Sequence, residues 1–402
     1  MSIKSVLKLP KNVWSLGWVS FFNDVSSEMI YPLLPLFLTQ VLGAGVVFIG
    51  VIEGIAESLS SFLKLFSGWV SDKFRKRKGL ILLGYGLASI TRPFVGMATS
   101  AVQILFLRSV DRVGKGVRSS PRDALLSASV HESERGKAFG FQRAMDHAGA
   151  MLGPLIASML LMVLTKNLRV VFVLSFIPAL FCLLVLFLGV KDAAPNLESR
   201  REPLQLRWKD WSGKFKAFLL IIFLFTLGNS SDAFLLLRAR DLGLNAVSIP
   251  ILWFVFHLSK TVFSVPGGMV SDWIGRKKVM ILAWMVYGLV YMGFAFASQA
   301  IHVWILFLIY GFFYGLAEGT ERAWVSDLVE ESRRGTAYGA YHFMIGVGAL
   351  PASLLLGLLW KTLGVAWAFS FGAAMALIAA ILAMILMGTP KSSQVSTPPA
   401  GL

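Results

Sequence analysis

The chain has 402 residues, of which 56% are hydrophobic and only 15% are charged. Soluble domains carry roughly 25% charged residues, so this composition excludes a soluble enzyme or nucleic-acid-binding domain and predicts an integral membrane protein. The formal net charge of +16 has to be interpreted through where the basic residues stand in the chain.

Twelve apolar segments are long enough for membrane-spanning helices, which need about 20 residues. We number them spans 1 to 12, near residues 14–40, 46–69, 79–99, 101–122, 138–164, 169–190, 216–237, 246–270, 278–298, 302–326, 338–361 and 365–388. The sequence thus predicts an all-α chain divided into a six-helix unit (1–190), a linker (191–215), a second six-helix unit (216–388) and a disordered tail (389–402).

Basic residues mark one side of the predicted membrane. They cluster at 73–78, between spans 2 and 3, at 276–278, between spans 8 and 9, and in the linker. The loops at 42–46 and 98–102 are short and uncharged. We therefore expect a multi-pass protein of the plasma (inner) membrane with both termini and the linker in the cytoplasm.

Motifs for bound metals and nucleotides are missing from the sequence. Cys182 is the single cysteine, and the five histidines form no HExxH-like cluster. The glycine-rich stretch at 112–118 lacks the first glycine and the Ser/Thr of a P-loop. We predict no enzyme, no metal and no cofactor, with a proton gradient as the energy source.

The two halves repeat the same loop motifs at a nearly constant offset. Residues 68–78 have the sequence GWVSDKFRKRK and residues 268–278 have GMVSDWIGRKK, so Asp72 and Asp272 lie 200 positions apart. A second pair of motifs, at 132–140 and 331–339, has an offset of 199. A parallel repeat predicts two bundles with a substrate site between them.

The stretch Gly68-x-x-x-Asp72-Lys73 resembles the loop 2–3 signature of the major facilitator superfamily, and the resemblance covers essentially the whole chain. In the second copy the later glycine is present as Gly275, followed by Arg276. The resemblance implies two pseudo-symmetric six-helix bundles and transport of a small molecule by alternating access. We expect a functional monomer in the lipid bilayer.

The resemblance also implies roles for the loop residues. Gly68 and Gly268 would allow close helix approach, and Asp72 and Asp272 would each cap a neighbouring helix and lock one gate. The alternative is that these loops only set the topology.

Two further motifs bear on the direction of transport. Gly149, Gly153 and Pro154 of span 5 resemble the G-x-x-x-G-P signature of the family's antiporters. Ordinary packing of small residues is the alternative. Arg112 and Gly116 of span 4 resemble the family's R-x-x-x-G motif, whose buried arginine is associated with proton coupling.

Ionisable side chains within the predicted spans mark candidate sites, because each costs about 2.5–3.5 kcal/mol at the bilayer centre. Span 4 is the most unusual, since its charges form one broad, mainly cationic face. The candidates for proton coupling or substrate binding are Asp24, Glu28, Glu57, Arg108, Asp111, Arg112, Lys115, Arg143, Asp146, His147, Asp232, His257, Lys260 and Glu318. Structural ion pairs are the alternative interpretation.

By the resemblance, spans 1, 4, 7 and 10 line the cavity, so we expect Asp24 and Arg112 to meet across it. A substrate that competes for Arg112 would release Asp24 to take a proton. This hypothesis provides coupling without a cofactor. A pair that only holds two helices together is the alternative.

The cationic face of span 4, with His257 and Lys260 in the second half, favours an anionic or zwitterionic organic solute, because arginine binds carboxylate or phosphate bidentately. We predict export of such a solute. Alternatives are a multidrug/proton antiporter for lipophilic cations, an uptake permease for an organic acid or metal chelate, and a receptor that transports nothing. No nucleic-acid partner is expected.

Overall fold

The computed structural model describes residues 9–74, 77–131, 134–192, 209, 211–330 and 333–387, with the backbone alone at 65–66 and 68–74. Every regular element along these residues is helical, which confirms the all-α prediction. Residues 193–208 of the predicted linker and the predicted tail from 389 onward lie outside the described residues.

The first half contains spans 1 to 6. Span 1 is Lys11–Ile30 and continues through a 3-10 turn at Tyr31–Leu33, a short helix at Leu34–Leu36 and a π-helical turn at Phe37–Val41. Span 2 is Val46–Phe74, span 3 Arg77–Met97, span 4 Ala101–Ala128, span 5 Arg135–Val163 and span 6 Leu168–Gly189.

The second half contains spans 7 to 12. Span 7 consists of Gly213–Gly228 and Ala233–Asp241, separated by a break. Span 8 is Ser248–Ile274, span 9 Arg276–Phe296, span 10 Ala300–Asp327, span 11 Arg334–Leu363 and span 12 Val365–Leu386.

Ten of these spans are long and apolar enough to cross a membrane by length and composition. The two that fall short are span 1, which carries polar residues and loses regular α-helix at Tyr31, and span 4, whose charges lower its hydropathy. Both pack against several other helices of the first bundle.

The helices form two bundles with the same internal packing. In the first, span 1 packs on spans 5 and 6, span 2 on span 4, and span 3 on spans 4 and 6. The second repeats this pattern with spans 7 to 12 in the same order. The bundles meet where span 2 packs on span 11 and span 5 on span 8, contacts that a two-fold axis interchanges.

The two ends of the molecule differ. We call the end that carries the connections between spans 2–3, 4–5, 8–9 and 10–11 the basic end, and the other the opposite end. Contacts between the bundles begin at the opposite end, where Gly357 meets Val47. They reach inward as far as the rings of Phe62 and Phe343, whose centroids are 5.5 Å apart. Beyond these rings, toward the basic end, an added Cβ at Gly335 would meet no atom within 4 Å.

Candidate functional site

Span 4 places its charged face inside the first bundle. Arg108 and Glu53 of span 2 form a bidentate ion pair there, with Arg108 Nη2 at 2.9 Å from Glu53 Oε1 and 3.0 Å from Oε2. Their side chains are only 9% and 7% exposed. Ser231 of span 7 donates a long hydrogen bond of 3.5 Å to Glu53. Arg108 is thus occupied by a carboxylate and connects the two bundles through it.

One turn further along span 4, the charges are less fully paired. Arg108 Nη1 and Arg112 Nε both lie 3.9 Å from Asp111 Oδ2, and Arg112 Nε has no hydrogen-bond partner among the described residues. Lys115 and Glu57 are half-buried close to Arg112. Within the described part of the chain, the ammonium group of Lys115 and the carboxylate of Glu57 form neither a hydrogen bond nor an ion pair.

Asp24 and Arg112 do not pair in this structure, contrary to our expectation. Asp24 Oδ1 accepts a hydrogen bond of 2.8 Å from Asn23 Nδ2, whereas the nearest carboxylate to Arg112 is Asp111. Asn23 Oδ1 in turn accepts from Arg92 Nη2 at 2.7 Å and from Arg118 Nη2 at 3.4 Å. The positive charges near Asp24 therefore come from spans 3 and 4 through an intervening amide.

Close packing of span 5 on span 1 explains this orientation. A Cβ at Gly149 would lie 2.4 Å from the carbonyl oxygen of Phe21 and 3.1 Å from Asp24 Cβ. A Cβ at Gly153 would lie 2.5 Å from the carbonyl oxygen of Val25. The two glycines, followed by Pro154 within the helix, set the face of span 1 that carries Asp24 against span 5.

Span 5 contributes a second carboxylate near Asp24. Asp146 accepts hydrogen bonds of 2.7 Å from Gln142 Nε2, which also donates to Ser20 Oγ at 2.9 Å. Arg143 lies 3.7 Å from Asp146 and is 42% exposed. His147 is half-buried next to this group.

Glu28 links the two bundles. Trp253 Nε1 of span 8 donates a hydrogen bond of 2.8 Å to Glu28 Oε2, and His257 Nε2 lies 4.0 Å from the same oxygen. Both ring nitrogens of the buried His257 lack a hydrogen-bond partner among the described residues. These contacts join span 1 to span 8 and hold the bundles together in this state.

The candidates of the second bundle form two separate groups. Lys260 Nζ lies 2.8 Å from Glu318 Oε2, and 4.9 Å from the centroid of the Tyr314 ring. At the break in span 7, Asp232 Oδ1 accepts a hydrogen bond of 2.6 Å from Tyr310. Lys260, Glu318 and Asp232 therefore each have a partner within their own bundle, whereas His257 faces Glu28 of the first bundle.

The gating motif is described in its second copy alone, because the side chains of Asp72 and Lys73, and the surroundings of Gly68, lie outside the described residues. Asp272 pairs with Arg276, whose Nε lies 3.5 Å from Asp327 Oδ2 at the end of span 10. Gly275 has φ +98°, a conformation that favours glycine, and ends span 8. An added Cβ at Gly268 would meet nothing within 4 Å. The expected close helix approach is thus not made at Gly268 in this state.

The described residues hold no group of three His, Cys, Asp or Glu side chains that could bind a metal ion. Asn23 and Trp253 also belong to the site, although neither was predicted from the sequence. Asn23 directly precedes Asp24, and an amide beside a charge within a span was a usable signal. Trp253 carried none, because an aromatic residue in a membrane helix is ordinary.

Comparison with known proteins identifies the family. The model of the Major Facilitator Superfamily matches residues 16–256 and 218–402. An uncharacterised transporter of this type from Methanocaldococcus jannaschii is 37% identical over 385 residues, covering 94% of this chain and 96% of that protein.

Two more distant proteins are similar over much of the chain. The multidrug resistance protein MdtG of Salmonella arizonae is 26% identical over 325 residues, covering 76% of this chain and 77% of that protein. The structure of the nucleoside transporter NupG has a TM-score of 0.80 at 14% identity, over 94% of this chain and 100% of that one. The chain therefore belongs to the Major Facilitator Superfamily, and it is a multi-pass membrane transporter and not an enzyme.

Proposed function

We propose that the protein exports a small anionic or zwitterionic organic solute in exchange for protons, by alternating access and as a monomer. The observation that carries the proposal is the group formed by Arg112, Lys115 and Glu57, half-buried in the first bundle. Burying charges without good partners is costly. A solute with a carboxylate or phosphate group would supply the missing partner for the two cations.

The proposed direction of transport depends on which end of the molecule faces the cytoplasm. The basic connections favour the cytoplasm for the basic end. Contacts between the bundles lie toward the opposite end, where Ser58 Oγ donates to the carbonyl of Gly346 at 2.6 Å. A site that opens toward the cytoplasm would load solute from inside the cell, in keeping with export.

Replacing both Arg112 and Lys115 by glutamine should weaken solute binding at this group at least about tenfold. A hydrogen bond to a charged group contributes about 1.5–3 kcal/mol, so loss of one such contact corresponds to about a ten- to hundredfold weaker response. The measurement is proton flux in proteoliposomes with an imposed pH gradient, on addition of a pool of organic acids and phosphate esters.

Lys166→Gln is the matched control, because Lys166 is exposed in the connection between spans 5 and 6. It should leave the flux unchanged. A double variant that responds to the anion pool as the wild type does would refute the proposed binding group.

Asp24→Asn should abolish the pH dependence of transport, because it removes a half-buried carboxyl group that can exchange a proton. Its side chain keeps nearly the same shape, so folding should be retained. Solute-driven proton flux in the same proteoliposomes measures this. Wild-type flux in the variant would exclude Asp24 as the coupling group.

A multidrug/proton antiporter for lipophilic cations is the second candidate. Its support is the likeness to MdtG and the carboxylate of Glu28 between the bundles, beside the aromatic rings of Trp253 and Tyr31. Cation–π contacts and a carboxylate would suit such cargo. Proton flux triggered by lipophilic cations and not by anions would favour this candidate, whereas flux that loads solute from the other face would favour uptake.

A further inference from the structure

We propose that Asn23 is a positioning residue that keeps Asp24 able to exchange a proton, by holding its carboxyl group one amide away from two buried arginines. The proposal rests on the proposed proton coupling and names the residue that makes this coupling possible. Proton exchange at Asp24 thus depends on the amide of Asn23 as well as on the carboxylate of Asp24.

The side-chain amide of Asn23 lies between Asp24 and the two arginines, Arg92 and Arg118. Asn23 is 5% exposed. Its Oδ1 accepts from Arg92 at 2.7 Å and from Arg118 at 3.4 Å, while its Nδ2 donates to Asp24 at 2.8 Å. Two guanidinium groups therefore converge on one neutral oxygen, and the carboxylate of Asp24 reaches them only through the amide.

Within the described part of the chain, the two arginines have no direct counter-ion, although Arg118 also donates to the carbonyl of Gly84 at 3.4 Å and lies 4.3 Å from the centroid of the Tyr85 ring. Arg92 and Arg118 are 3% and 7% exposed, and among the described residues neither forms an ion pair with a carboxylate. Arg92 Nη1 has no hydrogen-bond partner there. Buried charges without a counter-ion lower stability, and an aspartate at position 23 would contact both arginines directly. The amide thus lowers stability, and we infer that its benefit is functional.

The surroundings of Asp24 balance opposing charges. Glu28 on span 1 and Asp146 on span 5 are the carboxylates that interact with Asp24. Arg92 and Arg118 lie beyond the amide of Asn23, and the Cys182 thiol of span 6 lies near both arginines and Asp24. Because Asp24 has no direct ion pair, a small helix movement during alternating access is enough to change which protonation state is favoured.

A direct pair would remove this freedom. An arginine in direct contact with a carboxylate strongly favours the charged form of that carboxylate. The inserted amide weakens that interaction by distance and keeps a hydrogen bond to Asp24. Asn23 would therefore act on proton exchange through Asp24, without carrying the proton itself.

The test exchanges the two side chains in the double variant Asn23→Asp/Asp24→Asn, which keeps the net charge and both side-chain sizes. The measurement is infrared difference spectroscopy of the purified protein titrated over about pH 5 to 8. The wild type should show the band of a protonated carboxyl group that Asp24→Asn removes. The exchanged variant should lack this band, because its carboxylate contacts both arginines and stays ionised. If Asp24 only balances the arginine charges, the wild type should show no titrating carboxyl band that Asp24→Asn removes.

Two further measurements test the folding of the exchanged variant and the effect of a charge at position 23. The thermal unfolding midpoint of the exchanged variant should equal or exceed that of the wild type, since both arginines gain a direct partner. The single variant Asn23→Asp replaces a hydrogen-bond donor by a like charge beside Asp24, so the band should persist to higher pH by at least about one unit.

Asn12→Asp is the matched control, because Asn12 is on the same span but bonds Ser129 and the carbonyl of Lys191 at the basic end. It should leave the band unchanged. A titrating band in the exchanged variant, or none in the wild type, would overturn the proposal. The expected bands together with no solute-driven proton flux would refute the proposed function and leave the role of Asn23 intact.

Discussion

Replacing Arg108 by glutamine is expected to lower the free energy of unfolding by about 3–5 kcal/mol. In the wild type, Arg108 Nη2 lies 2.9 Å and 3.0 Å from the two carboxylate oxygens of Glu53. The substitution leaves this carboxylate buried without its counter-ion. The Glu53 side chain is 7% exposed, so water cannot replace the lost partner. Thermal or chemical unfolding in detergent, followed by circular dichroism, measures the change.

The double variant Glu53→Gln/Arg108→Gln separates a lost partner from a lost pair. It should recover much of the stability, because two neutral amides can bond each other and no isolated charge remains. Arg143→Gln is the matched control: Arg143 is 42% exposed and 3.7 Å from Asp146, so its loss should cost less than about 1 kcal/mol. Equal effects of Arg108→Gln and Arg143→Gln would contradict the buried ion pair.

Replacing Gly50 by valine should open the contact between spans 2 and 11 at the opposite end. A Cβ at Gly50 would lie 2.4 Å from the carbonyl oxygen of Ser353, a backbone atom that cannot rotate away. Overpacking of this kind costs about 1–3 kcal/mol, which corresponds to a shift of about five- to 150-fold away from the present state. The alternative state of a transporter, open at the opposite end, relieves the clash.

Cysteine labelling measures this shift. Ser58 is 8% exposed in the contact between spans 2 and 11, so Ser58→Cys in a Cys182→Ser background should react slowly with a polar maleimide. Adding Gly50→Val should raise the labelling rate at least about fivefold. Gly86→Val is the control, since a Cβ at Gly86 meets nothing within 4 Å. An unchanged rate would show that the contact does not close the opposite end.

Much of the architecture was predictable from the sequence because it follows from local properties. A bilayer sets the length of an apolar helix, so the twelve spans could be counted along the chain. The repeated motif around Asp72 and Asp272 indicated two equivalent bundles, and the resemblance named the family that the comparisons then identified. Helical periodicity also grouped the charges of span 4 on one face.

The partner of each charge could not be predicted. Periodicity determines which residues share a face of one helix, but not how that helix is rotated against its neighbours. That rotation depends on where backbones can approach, as at Gly149 and Gly153 on span 1. This packing separates Asp24 from Arg112 and leaves Asn23 between Asp24 and the arginines.

The sequence by itself therefore determined that this is an all-helical membrane transporter with a repeated bundle and a cationic span 4. Only the tertiary structure decided that Arg108 binds Glu53 and that Trp253 donates a hydrogen bond to Glu28 across the bundles. It also decided that the ammonium group of Lys115 forms no hydrogen bond or ion pair among the described residues. The reason is physical: length and hydropathy are summed along the chain, whereas ion pairs form across space between helices far apart in sequence.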